Sequence, residues 1–274
     1  MTLSLPHSKS LTFGSPALVM GIVNVTPDSF SDGGAFATAA DAAEHGKRLA
    51  AEGAAILDVG GESTRPGSSP VEAEDEIARV IPVIAALHRS VAAPISVDTM
   101  KARVAAAAIE AGASVINDVW GFQRDPDMAR VAADSGAMAV VMHNRASVDP
   151  GLDIVADVLA FLSRSIDLAL AAGVARERLA VDPGFGFGKT PEQNLVLVRR
   201  LRELAALGCP ILLGASRKST IGRVTGQKVA AERVAGSIAL GLIGAMNGAA
   251  ILRVHDVAAH VEALKVLAAV ESAF

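Results

Sequence analysis

The chain has 274 residues, of which 51% are hydrophobic, and a formal net charge of −4. This length and composition can fill a large core in one domain or two, while the negative charge argues against a nucleic-acid partner. The single cysteine, Cys209, excludes an internal disulfide and is typical of a reducing cytosol. We therefore expect a cytoplasmic protein in which any anionic ligand binds to a local cluster of cations.

Two stretches bear on membranes, and neither predicts an anchor. The residues before Ala17 lack the long apolar core of a signal peptide. Residues 234–252 carry no charge over about the length of a membrane span. They also contain several glycines, and the Asn247–Gly248 pair is a turn signal. We interpret this stretch as a buried helix, a turn and the start of a buried strand.

Short aliphatic runs alternate along the chain with Ala-rich helical patterns. Segments such as "AEGA", "EAGA" and "DSGA" place glycine just before a run, where a helix C-cap favours it. This alternation predicts a (β/α)8 TIM barrel spanning 1–274 as one domain, with a short flap before Ala17 covering one end. A doubly wound open sheet is the alternative. The runs cover residues 17–23, 54–60, 94–98, 114–118, 137–143, 179–184, 210–216 and 249–256.

Each aliphatic run ends on polar residues, and this is the main functional signal. The carboxyl ends of barrel strands meet at one rim, where TIM-barrel enzymes keep their active sites. Individually, these residues also have structural interpretations, as helix caps, an interior histidine or turn residues. Together they predict a ligand site, because a buried charge without a partner is costly. They include Asn24, Asp98, Asn117, Asp118, His143, Asn144, Asp182, Arg253 and His255.

The residue types at this rim indicate a class of ligand. Cations in an otherwise acidic chain fit a phosphate or pyrophosphate. Carboxylates accept paired N–H groups, so Asp98 and Asp182, together with Asn117, suit a flat heterocycle with a donor edge. The cations are Arg65, Arg217, Lys218, Arg253 and His255.

Two familiar motifs are incomplete. "PGFGFGKT" at 183–190 has Pro183 where a Walker A loop requires glycine, and it does not read GxGxxG. No HExxH, CxxC or carboxylate cluster predicts a tightly held metal. A Mg²⁺ ion shared with substrate phosphates remains compatible, because this ion keeps waters and needs few protein ligands.

Seven segments resemble the dihydropteroate synthase family of folate biosynthesis, in order and over almost the whole chain. The resemblance implies a TIM barrel that joins 6-hydroxymethyl-7,8-dihydropterin pyrophosphate to p-aminobenzoate. It also implies Mg²⁺ as cofactor, sulfonamides as p-aminobenzoate mimics, and a homodimer. The segments read "MGIVNVTPDSFSDGG", "DVGGESTRPG", "SVDT", "INDV", "DPGFGFGKT", "SRKS" and "LRVHDV".

The resemblance also assigns roles to individual residues. It implies a pterin pocket of Asp98, Asn117, Asp182 and Lys218, with Arg253 against the ring face. It implies a pyrophosphate site of Asn24, Arg253 and His255, with Mg²⁺ beside Asn24. The catalytic residues would then be Asn24, Asp98, Lys218, Arg253 and His255. The arylamine site would use Thr64, Arg65, Pro66, Phe187, Lys218 and Ser219, with Asp28 and Phe30 in the first loop.

Two positions depart from the family pattern. Thr220 follows "SRKS" where a bulky apolar residue is common, which leaves the shape of the arylamine pocket open. Asn144 stands in "MHN" where "MHM" is usual, at a position without an expected direct role.

The expected chemistry needs no protein nucleophile. The amine of the substrate attacks, and pyrophosphate leaves a carbon conjugated to an electron-rich pterin, so an SN1-like path is expected. The long segment 24–34 would then close over the ligands and exclude water. Two alternatives remain: a barrel of the methyltetrahydrofolate:corrinoid methyltransferase type, and a non-catalytic pterin-binding paralogue.

Overall fold

The computed structural model describes residues 1–25, 38–63 and 70–273. Its centre is a closed barrel of eight parallel strands in sequential order, and a two-stranded antiparallel hairpin precedes it. The predicted barrel is therefore confirmed, and the open sheet is excluded. The hairpin strands are β1 (Thr2–Leu5) and β2 (Lys9–Thr12). The barrel strands are β3 (Leu18–Asn24), β4 (Ile56–Gly60), β5 (Ile95–Asp98), β6 (Val115–Asp118), β7 (Met138–Met142), β8 (Leu179–Asp182), β9 (Ile211–Leu213) and β10 (Ala249–Val254).

Helices follow each barrel strand and cover its outer face. One short extra helix, α7, lies between β9 and the helix that returns to β10. The described helices are α1 (Ala39–Ala51), α2 (Ala73–Ser90), α3 (Ala102–Ala111), α4 (Met128–Ser135), α5 (Ile154–Ala171), α6 (Pro191–Arg199), α7 (Ser219–Thr225), α8 (Val234–Met246) and α9 (Val257–Glu271). Short 3-10 helices occupy Pro6–Ser8, Arg176–Arg178, Leu201–Leu207 and Ala230–Glu232.

The predicted stop signals end the helices as expected. Gly112 and Gly136 are the left-handed C-caps of α3 and α4. A Cβ at Gly112 would lie 2.4 Å from Cγ of His88, so both the backbone conformation and the packing require glycine there. At the other end of a helix, Thr190 and Gln193 form a capping box that starts α6.

The hairpin closes the amino-terminal end of the barrel, as predicted for the flap. Its leucines Leu3, Leu5 and Leu11 are buried against residues that begin the barrel strands, such as Met20 and Ile56. Full burial of such a side chain stabilises a fold by about 1.5–3 kcal/mol. The opposite, carboxyl end therefore remains the end where a ligand can enter.

The stretch 234–252 is only partly as predicted. It does form a helix, a turn and a strand, in the form of α8 and β10. However, α8 is not buried on all sides: Ile243 is 46% exposed and Met246 is 55% exposed. The helix lacks charge on its outer face as well as its inner one. Among the described residues, no helix is long and apolar enough to cross a membrane.

Candidate active site

The barrel interior changes from apolar to charged along the strands. Side chains two residues apart point to the same face of a strand. Ile56, Val115, Ala180 and Ile251 belong to the apolar layer inside the barrel. The residues two positions further along the same strands are Asp58, Asn117, Asp182 and Arg253. The polar residues therefore lie as a second layer directly above the apolar one, at the carboxyl end.

Strand register places the other strand-end residues at the same level. Asn24 is paired with Gly60, Gly60 with Asp98, and Asp98 with Asn117. Asp182 is paired with Met142 on the opposite side. Asn24, Asp98 and Asp182, predicted from three separate segments, thus belong to one rim.

Arg253, on β10, donates hydrogen bonds to carboxylates on two other strands. Its Nε donates to Oδ2 of Asp58 at 2.6 Å, and its Nη2 donates to Oδ2 of Asp98 at 2.7 Å. Asn117 also donates from Nδ2 to Oδ2 of Asp58, at 3.2 Å. Asp58 is fully buried, and its second oxygen, Oδ1, has no hydrogen-bond partner within the described part of the chain.

Two opposing effects act on the pKa values of this cluster: burial, and the attraction between opposite charges. Burial raises the pKa of Asp98 to about 7; Arg253 opposes this shift and Asp58 adds to it. Burial disfavours the charge of Arg253, but Asp58 and Asp98 outweigh it and hold the pKa of the guanidinium above its usual range. Arg253 is therefore a fixed positive charge, whereas Asp98 can carry a proton near neutral pH.

Asp182 and Lys218 form the other side of the layer. Oδ1 of Asp182 accepts the Gly184 amide at 2.7 Å. Nζ of Lys218 donates to the Phe185 carbonyl and lies 4.4 Å from the centre of the Phe187 ring. Burial raises the pKa of Asp182 and lowers that of Lys218 to about 8, and their mutual attraction opposes both shifts.

A glycine keeps the space between these two sides open. A Cβ at Gly214 would lie 3.8 Å from both Oδ2 of Asp182 and Cβ of Arg253. A larger side chain at position 214, directly after β9, would therefore extend into the space between the Asp182 carboxylate and the Arg253 side chain.

The two other predicted rim cations in the described part of the chain, Arg217 and His255, differ in their partners. Arg217 donates from Nε to Oδ2 of Asp256 at 3.0 Å and also contacts this carboxylate through Nη2, so its charge is paired. Nδ1 of His255 lies 3.0 Å from Oγ of Ser216, which also accepts the His255 amide. Arg217 is therefore paired with Asp256, whereas Lys218 and Arg253 interact with the buried carboxylates of the barrel mouth.

The segment after β9 contains the two remaining predicted positions. Ser219 is exposed at the first residue of α7, beside Lys218. Thr220 is buried and its Oγ1 accepts from Nδ2 of Asn194 at 3.1 Å, while Oδ1 of Asn194 accepts the Gly186 amide at 2.7 Å. The hydroxyl that distinguishes Thr220 from an apolar residue thus supports the loop after β8.

His143 and Asn144 have structural partners. His143 is fully buried and its Nε2 lies 2.9 Å from Oδ2 of Asp157. Asn144 donates to the Val119 carbonyl. Both side chains therefore support the fold at the end of β7.

Sequence reasoning missed Asp58, although a signal was present. In "ILDVG" the aspartate stands two residues after Ile56, on the face that points into the barrel. Conversely, some predicted residues lie outside the described part of the chain. These are Asp28, Phe30, Thr64, Arg65 and Pro66.

The residues at the rim fit one kind of metal ion. Across residues 1–25, 38–63 and 70–273, no group of three or more His, Cys, Asp or Glu side chains could hold a metal. Asn24, half-buried at the end of β3, offers one amide oxygen. Mg²⁺ commonly keeps several waters and binds few protein oxygens together with substrate phosphates. This donor set therefore fits Mg²⁺ that is shared with a pyrophosphate.

Known proteins resemble this chain over almost its whole length. Residues 20–255 match the family model described as pterin binding enzyme. Dihydropteroate synthase of Clostridium beijerinckii is 48% identical over 259 residues, covering 94% of this chain and 96% of the relative. A Xanthomonas albilineans dihydropteroate synthase solved with 4-aminobenzoic acid is 49% identical with a TM-score of 0.93, covering 97% of each chain. The Yersinia pestis dihydropteroate synthase in a sulfonamide drug complex is 41% identical with a TM-score of 0.94, covering 100% of each chain. The chain therefore belongs to the dihydropteroate synthases of the pterin-binding enzyme family.

Proposed function

We propose that the chain joins 6-hydroxymethyl-7,8-dihydropterin pyrophosphate to p-aminobenzoate at the carboxyl end of its barrel, by an SN1-like route assisted by Mg²⁺. The observation that carries this proposal is the Arg253 guanidinium, held between Asp58 and Asp98 and facing Asp182 across Gly214. Buried carboxylates on both sides of a fixed cation suit a heterocycle that becomes positively charged while an anion departs.

The pterin binds in the gap between Asp182 and Arg253. The Asp182 carboxylate accepts from the amino-pyrimidine edge, since one carboxylate can accept two parallel N–H donors. Asp98, Asn117 and Lys218 contact the rest of the ring edge, and the planar Arg253 guanidinium lies against the ring face. The fully buried Asp58 orients Arg253 and Asn117 from below.

The pyrophosphate occupies the mouth of the barrel, close to Asn24, Arg253 and His255. Asn24 would supply an amide oxygen to Mg²⁺, and the bound ion would provide positive charge beside the pyrophosphate. His255, held by Ser216, donates to a phosphate oxygen.

The arylamine binds on the side of Lys218 and the loop after β8. Phe187 provides an apolar face, and the exposed Ser219 hydroxyl donates to the carboxylate of the arylamine. We assign Thr64, Arg65 and Pro66 to this site from the sequence alone, together with Asp28 and Phe30, which would close over both ligands.

The reaction breaks one C–O bond and forms one C–N bond. The electron pair of the C–O bond leaves with pyrophosphate, and the Asp98 and Asp182 carboxylates stabilise the pterin cation that remains. The arylamine nitrogen then donates its lone pair to the exocyclic carbon, and its proton passes to the pyrophosphate. The chain contributes position, charge and exclusion of water, without a covalent intermediate.

A second copy of the chain is the proposed partner. The uncharged outer face of α8 exposes Ile243 and Met246, and α9, which packs beside it, exposes Val266 and Val270. Exposed apolar faces of this kind are typical of subunit interfaces. Size-exclusion chromatography with light scattering should give a dimer, and Ile243→Lys should give a folded monomer.

The binding roles are tested by two calorimetric titrations on each variant. Asp182→Ala should abolish binding of 6-hydroxymethylpterin while pyrophosphate with Mg²⁺ still binds. Arg253→Ala and His255→Ala should weaken pyrophosphate binding, more at low salt than at high salt, because salt screens charges at a partly exposed site. Normal pterin binding by a folded Asp182→Ala variant would show that the pterin pocket lies elsewhere.

A further inference from the structure

The loop after β8 surrounds a buried lysine that does not face the proposed ligands. Lys189 is 7% exposed, and its ammonium has three partners inside the protein. Nζ lies 2.7 Å from the Gly184 carbonyl oxygen, 3.0 Å from that of Phe187 and 2.8 Å from Nδ1 of His143. An ammonium group has three N–H donors, so all of them are used.

The partners of His143 determine which atoms donate and which accept in this network. Nε2 of His143 faces Oδ2 of Asp157, which also accepts from Nη1 of Arg145 at 2.8 Å. A histidine that accepts from a lysine at Nδ1 and donates to a carboxylate at Nε2 is neutral. Burial, followed by the charge of Lys189, lowers the pKa of His143 to about 4, in agreement with this assignment. The ammonium of Lys189 is thus tied through His143 to Asp157, in the first turn of α5.

The backbone of the loop fits around the lysine closely. Gly184, Gly186 and Gly188 all adopt positive φ, which favours glycine. A Cβ at Gly184 would lie 1.8 Å from the His143 carbonyl oxygen, and one at Gly188 would lie 2.5 Å from Cβ of Arg145. A loop with this much glycine has little conformational preference of its own, so its shape depends on the groups that its carbonyls bind.

The same loop contacts two of the proposed ligand-binding residues, Asp182 and Lys218, and contains a third, Phe187. The Gly184 amide donates to Asp182, the Phe185 carbonyl accepts from Lys218, and the Phe187 ring lies under the Lys218 ammonium. The carbonyls of Gly184 and Phe187 bind Lys189, and the intervening carbonyl of Phe185 binds Lys218. Lys189 and Lys218 therefore bind carbonyl oxygens at different positions of the same loop.

We propose that Lys189 is a positioning residue for the pterin and arylamine sites: it fixes the loop 183–189 so that Asp182, Lys218 and Phe187 meet their ligands, without touching a ligand itself. This role rests on the proposed function of those three residues. The lysine of the Walker-like "GFGFGKT" thus points into the protein.

The buried position of Lys189 shows why its ammonium needs these partners. Burial lowers the pKa of Lys189 to about 7; Asp182 opposes the shift, and Lys218 and Arg145 add to it. A protein that buries an ammonium group at this cost needs strong acceptors for it, and the two carbonyls and His143 supply them.

The test compares Lys189→Met with Lys9→Met. Lys9 is the matched control, because its ammonium also donates to two backbone carbonyls, those of Val91 and Ala92, but at the opposite end of the barrel. Each variant is titrated with 6-hydroxymethylpterin and, separately, with pyrophosphate plus Mg²⁺, and the KM for p-aminobenzoate is measured.

We expect Lys189→Met to raise the pterin Kd and the p-aminobenzoate KM by about tenfold or more, because misplacing binding groups by even 1 Å is costly. Its pyrophosphate Kd should stay within about twofold of the parent value, since it does not depend on this loop. Lys9→Met should leave all three constants unchanged. A merely structural lysine would lower the melting temperature or the fraction of active protein, and would leave the Kd and KM values of the folded fraction unchanged.

An unchanged pterin Kd and p-aminobenzoate KM in folded Lys189→Met would overturn the proposal. If that variant does not fold, Lys189→Gln, which removes the charge but keeps two N–H donors, is measured in its place, and unchanged constants there would overturn the proposal too. Failure of the proposed function itself is recognised separately, because the parent protein would then not bind 6-hydroxymethylpterin at all.

Discussion

Arg253 on the last barrel strand donates from Nε to Oδ2 of Asp58 on the second, at 2.6 Å. The bond spans the interior above β3, which lies between the two strands. Asp58 is fully buried, so this pair is shielded from solvent in a way that a surface ion pair is not.

The first prediction concerns the stability that this pair provides. Asp58→Asn should lower the free energy of unfolding by about 1.5–3 kcal/mol, the range for a buried hydrogen bond to a charged group. Glu74→Gln is the control, because Glu74 pairs with Arg103 on the exposed surface, and it should change stability by less than about 0.5 kcal/mol. Urea unfolding of the three proteins measures both effects. Equal losses in the two variants would show that burial of Asp58 adds nothing.

The second prediction concerns Thr220, which stands where the family commonly has a bulky apolar residue. Thr220→Val keeps the shape of the side chain but removes the oxygen that accepts from Asn194. Leaving the buried Asn194 amide without its acceptor should cost about 1–3 kcal/mol. Thr225→Val, at an exposed position of the same helix, should cost less than about 0.5 kcal/mol. Thermal and urea unfolding check both values; a neutral Thr220→Val would mean that the hydroxyl does not support the loop.

The third prediction is a pH dependence of stability. Burial lowers the pKa of His143 from the usual 6.5 of a histidine to about 4 in the folded protein. Between these values the unfolded chain binds a proton that the folded chain does not, so stability should fall as the pH falls from 6.5 to 4. The slope for one proton is at most about 1.4 kcal/mol per pH unit.

His143→Gln has no titrating group at this position and should lack that part of the slope. The difference in unfolding free energy between the parent and the variant should therefore shrink as the pH is lowered through this range. Parallel stability curves for the two proteins would contradict the neutral, buried state of His143.

The fourth prediction concerns Phe30, which lies outside the described residues and is assigned from the sequence alone. Phe30→Ala should raise the KM for p-aminobenzoate and leave the melting temperature unchanged, because we place this side chain over the substrate. Phe161→Ala is the contrast: Phe161 is a core residue, and its truncation should cost about 3–5 kcal/mol. A Phe30→Ala variant that loses stability and keeps its KM would make Phe30 an ordinary core residue.

The barrel could be predicted because short segments of the sequence mark its strands and helix ends. Each strand begins as a short aliphatic run, and glycine at helix ends such as Gly112 and Gly136 marks the boundaries. Polar residues at strand ends, such as Asp98 and Asp182, could be assigned to one rim because parallel barrel strands all end on the same side.

Other features depend on contacts between distant segments. Nothing local to Arg217 indicates that it pairs with Asp256 rather than with a ligand anion. Nothing within "GFGFGKT" indicates that Lys189 turns inward to His143. The outer face of α8 was predicted to be buried because its composition is apolar, and composition does not distinguish a protein core from an exposed apolar surface.

The order of bond breaking and bond formation is the central claim, and positional isotope exchange tests it most directly. Pterin pyrophosphate carrying ¹⁸O in the bridge between carbon and phosphorus is incubated with the protein and Mg²⁺, without p-aminobenzoate. If the C–O bond breaks first, the label should move from the bridge to non-bridging positions of the recovered substrate, and Arg253→Ala should slow this movement. A label that stays in the bridge, in a preparation that makes 7,8-dihydropteroate once p-aminobenzoate is added, would contradict the account.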